Sequence, residues 1–142
     1  MRRAGGTAVL CLVFAACAGT ADAPVHVSDA WLRAVPEGVT STAGYFTIEN
    51  RSDAPRTLKG VTSPQFARVE LHETRLEDGI ARMRPVDVLA LPSGERVTLA
   101  PGGLHLMLLD PVRPLAAGGH ATLRLQLDDG WLVEVEAEVR AP

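Results

Sequence analysis

From Pro24 onward, apolar and polar residues alternate in short runs that Gly, Pro, Asn or Asp interrupts about every 8 to 12 residues, the rhythm of strands joined by tight turns. The pattern predicts strands over Val25–Arg33, Ala43–Asn50, Arg56–Val61, Phe66–Glu73, Ile80–Val88, Arg96–Leu99, Leu104–Leu109, Ala121–Leu127 and Trp131–Val139. A helical period is not sustained anywhere, so the expected fold class is all-β, an antiparallel sandwich or barrel. Successive side chains on a strand face opposite sides. The last run therefore assigns Trp131, Val133, Val135, Ala137 and Val139 to the core and Glu134, Glu136 and Glu138 to water. By the same reasoning Ala67, Val69 and Leu71 are expected to face inward, and Trp31, Tyr45, Phe46 and Trp131 are expected as core aromatics.

The N-terminus does not follow this rhythm. Arg2 and Arg3 precede an apolar run from Val9 to Phe14, and a small-residue zone ends at Ala23, which is the layout of a secretory signal peptide. The run falls far short of the roughly 20 residues that span a bilayer. Residues 1–23 are therefore expected to be an export signal, and residues 24–142 a single domain outside the cytoplasm. Ala15-Ala16-Cys17 reads alternatively as the end of a lipobox, with Cys17 lipidated, although Phe14 is atypical at the start of that motif. Both cysteines, Cys11 and Cys17, sit within or at the edge of the signal, so neither disulfides nor thiolate ligands are expected in the domain. Without Arg2, Arg3 and Asp22, the 14 basic and 17 acidic residues of the chain become 12 and 16, a net charge of −4. No basic cluster is present to suit a nucleic-acid partner.

Candidate chemistry is concentrated in a few residues. Apart from Met1 the methionines are Met83 and Met107, and each falls close to a histidine in the strand pattern. In Leu104-His105-Leu106-Met107-Leu108, alternation puts the three leucines on one face and His105 with Met107 on the other. The second pair comes from a hairpin around Asp78-Gly79. If those two residues form the loop, Glu77 pairs with Ile80, Thr74 falls opposite Met83, and His72 becomes Met83's diagonal neighbour on the same face. A different loop length would shift this register. Thioethers are soft donors that suit Cu(I) and bind zinc, magnesium or calcium poorly, while imidazole is compatible with copper. A blue-copper centre would need a cysteine thiolate. A thioether site, unlike a dithiol, cannot be shut by disulfide formation in an oxidising compartment.

The spacing His72-x10-Met83-x21-His105-x-Met107 resembles the copper motif of the periplasmic copper chaperones called the PCu(A)C (DUF461) family. Flanking segments are similar as well: Asp29-Ala30-Trp31-Leu32-Arg33-Ala34, Gly44-Tyr45-Phe46-Thr47-Ile48-Glu49-Asn50, Leu71-His72-Glu73-Thr74, Met83-Arg84-Pro85-Val86, Pro101-Gly102-Gly103-Leu104 and Pro114-Leu115. The resemblance covers about residues 25 to 140. It implies a cupredoxin-like (immunoglobulin-like Greek-key) antiparallel β-sandwich that is not an enzyme. It further implies that His72, Met83, His105 and Met107 bind one Cu(I), delivered to the CuA centre of cytochrome c oxidase subunit II alongside a Sco-type thiol protein. A monomer is expected. Departures from the family pattern are Glu73 where some members have methionine, Leu109 in place of a frequent methionine, and Asp110 where glycine is common. No His/Met-rich tail follows Val139, which puts any Cu(II) site in doubt.

Taken singly, a histidine on a strand is more often structural and a methionine is more often packing. The joint spacing is what favours ligation. His26 and His120 lack a soft partner and are read as non-ligands. Competing readings are an exported adhesion or assembly module with incidental His and Met, and a general periplasmic copper-storage protein without a dedicated oxidase partner. No Gly-x-Ser-x-Gly, carboxylate pair or Ser/His/Asp set supports catalysis. A carrier must admit a partner's ligand before releasing its ion, so a shallow, surface-exposed site is expected.

Overall fold

The structure, a computed structural model, describes residues 23–142. The expected export signal, with Cys11 and Cys17, lies outside the described residues except for Ala23. Ten strands follow in chain order: β1 Val25–Arg33, β2 Ser41–Asn50, β3 Arg56–Thr62, β4 Phe66–Glu77, β5 Ile80–Pro85, β6 Leu89–Leu91, β7 Arg96–Thr98, β8 Leu104–Pro111, β9 His120–Leu127 and β10 Leu132–Arg140. Among the described residues no helix is long and apolar enough to cross a membrane.

The strands hydrogen-bond in the order β5-β4-β8-β2-β1-β10-β9-β3-β6, with β7 added beside β2. Pairing is antiparallel except where β1 runs parallel to β10, matching Trp31 with Glu138 and Arg33 with Arg140. That junction lets the strip fold over a single core. Leu32, Phe46, Ile48, Leu106 and Leu108 come from one half, and Leu58, Leu123, Leu125, Leu127, Ala137 and Val139 from the other, all within one apolar cluster. Burying each of the Leu, Ile, Val and Phe side chains contributes about 1.5–3 kcal/mol, which makes this cluster the main source of stability. The result is a cupredoxin-like β-sandwich.

Alternation accounts for most of this placement. On β9 the residues Ala121, Leu123, Leu125 and Leu127 are buried, while Arg124 and Gln126 face water. At Gly44 on β2 a Cβ would come 2.9 Å from Leu108 Cδ1, so a larger residue there would have to push aside the end of the Leu108 side chain.

Four expectations are corrected. Trp131 is 39% exposed, because β10 begins one residue later and the Asp128-Asp129-Gly130 turn holds Trp131 outside the sandwich, with its N–H donating to Asp129 Oδ1 at 3.0 Å. Trp31 is only partly buried, its ring 4.5 Å from that of Tyr45 and with the Arg140 guanidinium 5.1 Å above it. Ala67 is exposed, and the buried residue at this end of β4 is Phe66, which alternation puts on the opposite face. The strand begun at Ile80 ends at Pro85, beyond which a single bond from the Val86 N–H to Leu71 O at 2.8 Å still ties the chain to β4, and Leu89–Leu91 forms the separate short strand β6, paired with β3.

Candidate metal centre

The outer face of β5, β4 and β8 carries all four candidate ligands. The Asp78-Gly79 turn sets the first pair. Both residues have positive φ, 52° and 78°, as a two-residue primed turn requires, and the register follows: Glu77 opposite Ile80, Thr74 opposite Met83. The long-range pairing of β4 with β8 sets the rest, placing His72 directly opposite His105 and Glu70 opposite Met107. The two imidazole rings have centroids 6.0 Å apart and planes inclined by 50°. Met107 lies one same-face step along β8 from this rung, while Met83 lies one step the other way on β5. Both are thus diagonal neighbours of His72, where Cα separations are about 7–8 Å.

The turn before β8 positions His105. Gly102 adopts φ 85°, the N–H of Gly103 donates to Ala100 O at 3.1 Å, and the N–H of Ala100 donates to Leu104 O at 2.9 Å. The Gly103 carbonyl is thereby fixed, and it accepts both the Thr74 N–H at 3.0 Å and the His105 Nδ1–H at 3.0 Å. One oxygen ties β4 to β8 and orients the His105 ring. His72 has its own partner on the same strand, since its Nε2 lies 3.0 Å from Glu70 Oε2. Glu70 was not among the residues singled out from sequence. Its position two residues before His72 on one strand face is the signal that could have found it.

Exposure differs among the four. His105 is buried at 9%, the His72 side chain is 13% exposed, Met107 is half-buried, and Met83 is 52% exposed. Met83, His105 and Met107 line an open cavity of about 480 Å³ whose walls include Arg33, Val39 and Pro142. His72 stands beside His105 without lining that cavity. Its Nδ1 is buried and makes no hydrogen bond, the one such side-chain nitrogen or oxygen among the described residues. An unpaired buried polar atom costs about 1–3 kcal/mol, so an imidazole kept this way suits a ligand that takes its lone pair. His26 on β1 and His120 on β9 sit on other strands, away from this group.

The hairpin's two faces differ in charge. Thr74, Leu76, Ala81, Met83 and Pro85 share the face of the imidazoles and are uncharged. The opposite face carries Glu73, Arg75, Glu77, Arg82 and Arg84, joined by Arg75–Glu73 at 2.7 Å, Arg82–Glu77 at 3.3 Å and Arg84–Glu77 at 2.9 Å. Among the described residues no group of three or more His, Cys, Asp or Glu side chains that could hold a metal ion forms. Two neutral imidazoles with two thioethers fit a soft monovalent cation and fit a hard divalent one poorly.

A family model described as “Putative lipoprotein LpqE-like” matches residues 25–139. The “Putative lipoprotein Lxx21020” of Leifsonia xyli subsp. xyli is 32% identical over 117 residues, which is 82% of this chain and 69% of that protein. Among solved structures, the copper-bound PCuAC domain from PmoF2 superposes with a TM-score of 0.71 at 32% identity, covering 84% of this chain and 95% of that one. The solution structure of CuI-DR1885 from Deinococcus radiodurans gives a TM-score of 0.66 at 35% identity, covering 87% and 83%.

Proposed function

The chain belongs to the LpqE-like family, and on that premise we propose that it is an exported copper chaperone, carrying one Cu(I) as cargo between His72, Met83, His105 and Met107. The observation that carries this reading is the cross-strand rung of His72 and His105, with a thioether on either diagonal and the lone pair of His72 Nδ1 buried without a partner. The copper-bound PCuAC domain and CuI-DR1885, similar along most of their length, support the same cargo here.

The geometry suits carrying rather than catalysis. Both histidines have one nitrogen committed to a protein acceptor, which fixes ring orientation and leaves the other for metal, the arrangement in which outer partners raise ligand affinity. Thioethers bind Cu(I) without charge and without proton release. Met83 is half out in solvent on the edge strand β5, so an acceptor's sulfur can reach the ion from that side and displace ligands stepwise. The acceptor we propose is the CuA centre of cytochrome c oxidase subunit II, with a Sco-type thiol protein acting alongside. The chain acts in the periplasm, anchored through Cys17 if the lipobox is the one used, in keeping with the relative named as a lipoprotein.

The test is a competition titration of the purified protein with a chromogenic Cu(I) chelator, followed by mixing the loaded protein with a subunit II CuA domain. One equivalent bound, then moved to the CuA domain, is the expected result. Absence of Cu(I) binding would sink the proposal, and binding without transfer would remove the oxidase partner from it.

A further inference from the structure

The histidine pair is asymmetric. A neutral imidazole has one N–H donor and one lone pair, and only the lone pair can bind a metal. The partner of His105 Nδ1 is the Gly103 carbonyl, which can only accept, so the proton sits on Nδ1 and Nε2 is left free. The partner of His72 Nε2 is the Glu70 carboxylate, which as an anion also only accepts, so the proton sits on Nε2 and Nδ1 is left free. The opposite tautomer of His72 would set a lone pair against a carboxylate at 3.0 Å and bury an N–H with no acceptor. Arg68 steadies this arrangement. Its Nη1 lies 3.2 Å from Glu70 Oε1, while the other oxygen, Oε2, serves His72.

We infer that Glu70 is a positioning residue that holds the His72 ring with its proton on Nε2, so that copper is bound through Nδ1 of His72 but through Nε2 of His105. The inference rests on the copper reading above and names which atoms act and what orients them. Glu70 touches no copper itself. Its effect passes through the ring, and Glu70→Gln, which puts an amide of equal length and still able to accept in place of the carboxylate, preserves part of it.

The experiment uses the protein with 15N-labelled histidine, first without metal and then with Ag(I), a diamagnetic stand-in for Cu(I) whose nuclear spin splits the resonance of the nitrogen it binds. Without metal, at a pH where the rings are neutral, long-range proton–nitrogen spectra should show His72 as the Nε2–H tautomer and His105 as the Nδ1–H tautomer. With Ag(I), splitting should fall on Nδ1 of His72 and Nε2 of His105. Glu70→Ala should blur the His72 tautomer and weaken Ag(I) and Cu(I) binding about 10- to 100-fold, the range for removing such an outer partner. Glu70→Gln should recover most of both, and the unfolding midpoint of each variant reports that folding is intact. Splitting on Nε2 of His72, or wild-type affinity with an unchanged His72 tautomer in Glu70→Ala, overturns the inference and leaves the copper reading standing. Splitting on neither ring overturns both.

Discussion

Strands β9 and β5 have similar local chemistry but opposite roles. On β9 every second residue is an apolar side chain with essentially no exposure, so the strand is half inside the sandwich. On β5 all six residues are exposed. That strand is held only by its pairing with β4, and the ion pairs on its outer side, being solvent-exposed, add little. The exposed residues of β5 add nothing to the core, and the role we propose for this strand is to carry Met83. Stability is thus concentrated in one part of the molecule and ligand chemistry in another, and substitutions can separate them.

The largest expected effect breaks the structural side. Leu123→Ala, at a position with 0% exposure, should lower unfolding free energy by about 2–5 kcal/mol in denaturant titrations, while the molecules that remain folded bind Cu(I) as before. The second separates the two sides directly. Met107→Leu and Met83→Leu nearly conserve volume and should each cost less than about 1.5 kcal/mol of stability. Each should nevertheless weaken Cu(I) binding by at least about tenfold, or roughly 1.4 kcal/mol, in chelator competition. Unchanged affinity in both would remove the methionines from the proposed site.

A smaller effect joins the two regions. Gly79 sits at φ 78° with open space where a Cβ would go, so Gly79→Ala costs only the left-handed backbone preference, about 1–2 kcal/mol. Because that strain is local to the β4–β5 turn, hydrogen exchange should rise in β5 and not in β9, and Cu(I) affinity should fall less than in Met83→Leu. The smallest effect concerns Glu49 on β2, whose carboxyl is held below its ordinary 4.5 by a hydrogen bond from Arg51, reinforced by the charges of Arg51 and Arg96. A lowered folded-state value means the stabilisation is complete above about 4.5 and disappears as pH falls through that lower value. Glu49→Gln should therefore differ slightly from the parent at neutral pH and converge with it in an acid series of unfolding midpoints.

Legibility followed the same division. Nearly every strand with one buried face could be read from alternation, and the Asp78-Gly79 register could be read because a two-residue turn couples strands only a few residues apart. The three-residue strand β6 was not readable, since Leu89-Ala90-Leu91 is too short to show a period before Pro92. Trp131 was misplaced because alternation says which side a residue takes but not where the covering layer ends. Asp110 has φ 52°, a left-handed conformation that Asp and Asn tolerate better than most residues and that alternation could not reveal.

By itself the amino-acid sequence determined the all-β class, the two faces of β8, β9 and β10, and the pairing of His105 with Met107 on one side of β8, because these depend on a period of two and on neighbours along the chain. Only the tertiary structure decided that His72 stands opposite His105, that the Gly103 carbonyl and the Glu70 carboxylate hold the two rings by different nitrogens, and that Nδ1 of His72 is left without a partner. Those features require β4 and β8, far apart in sequence, to meet in one register, and that register is chosen by the burial of both halves of the core rather than by any local preference.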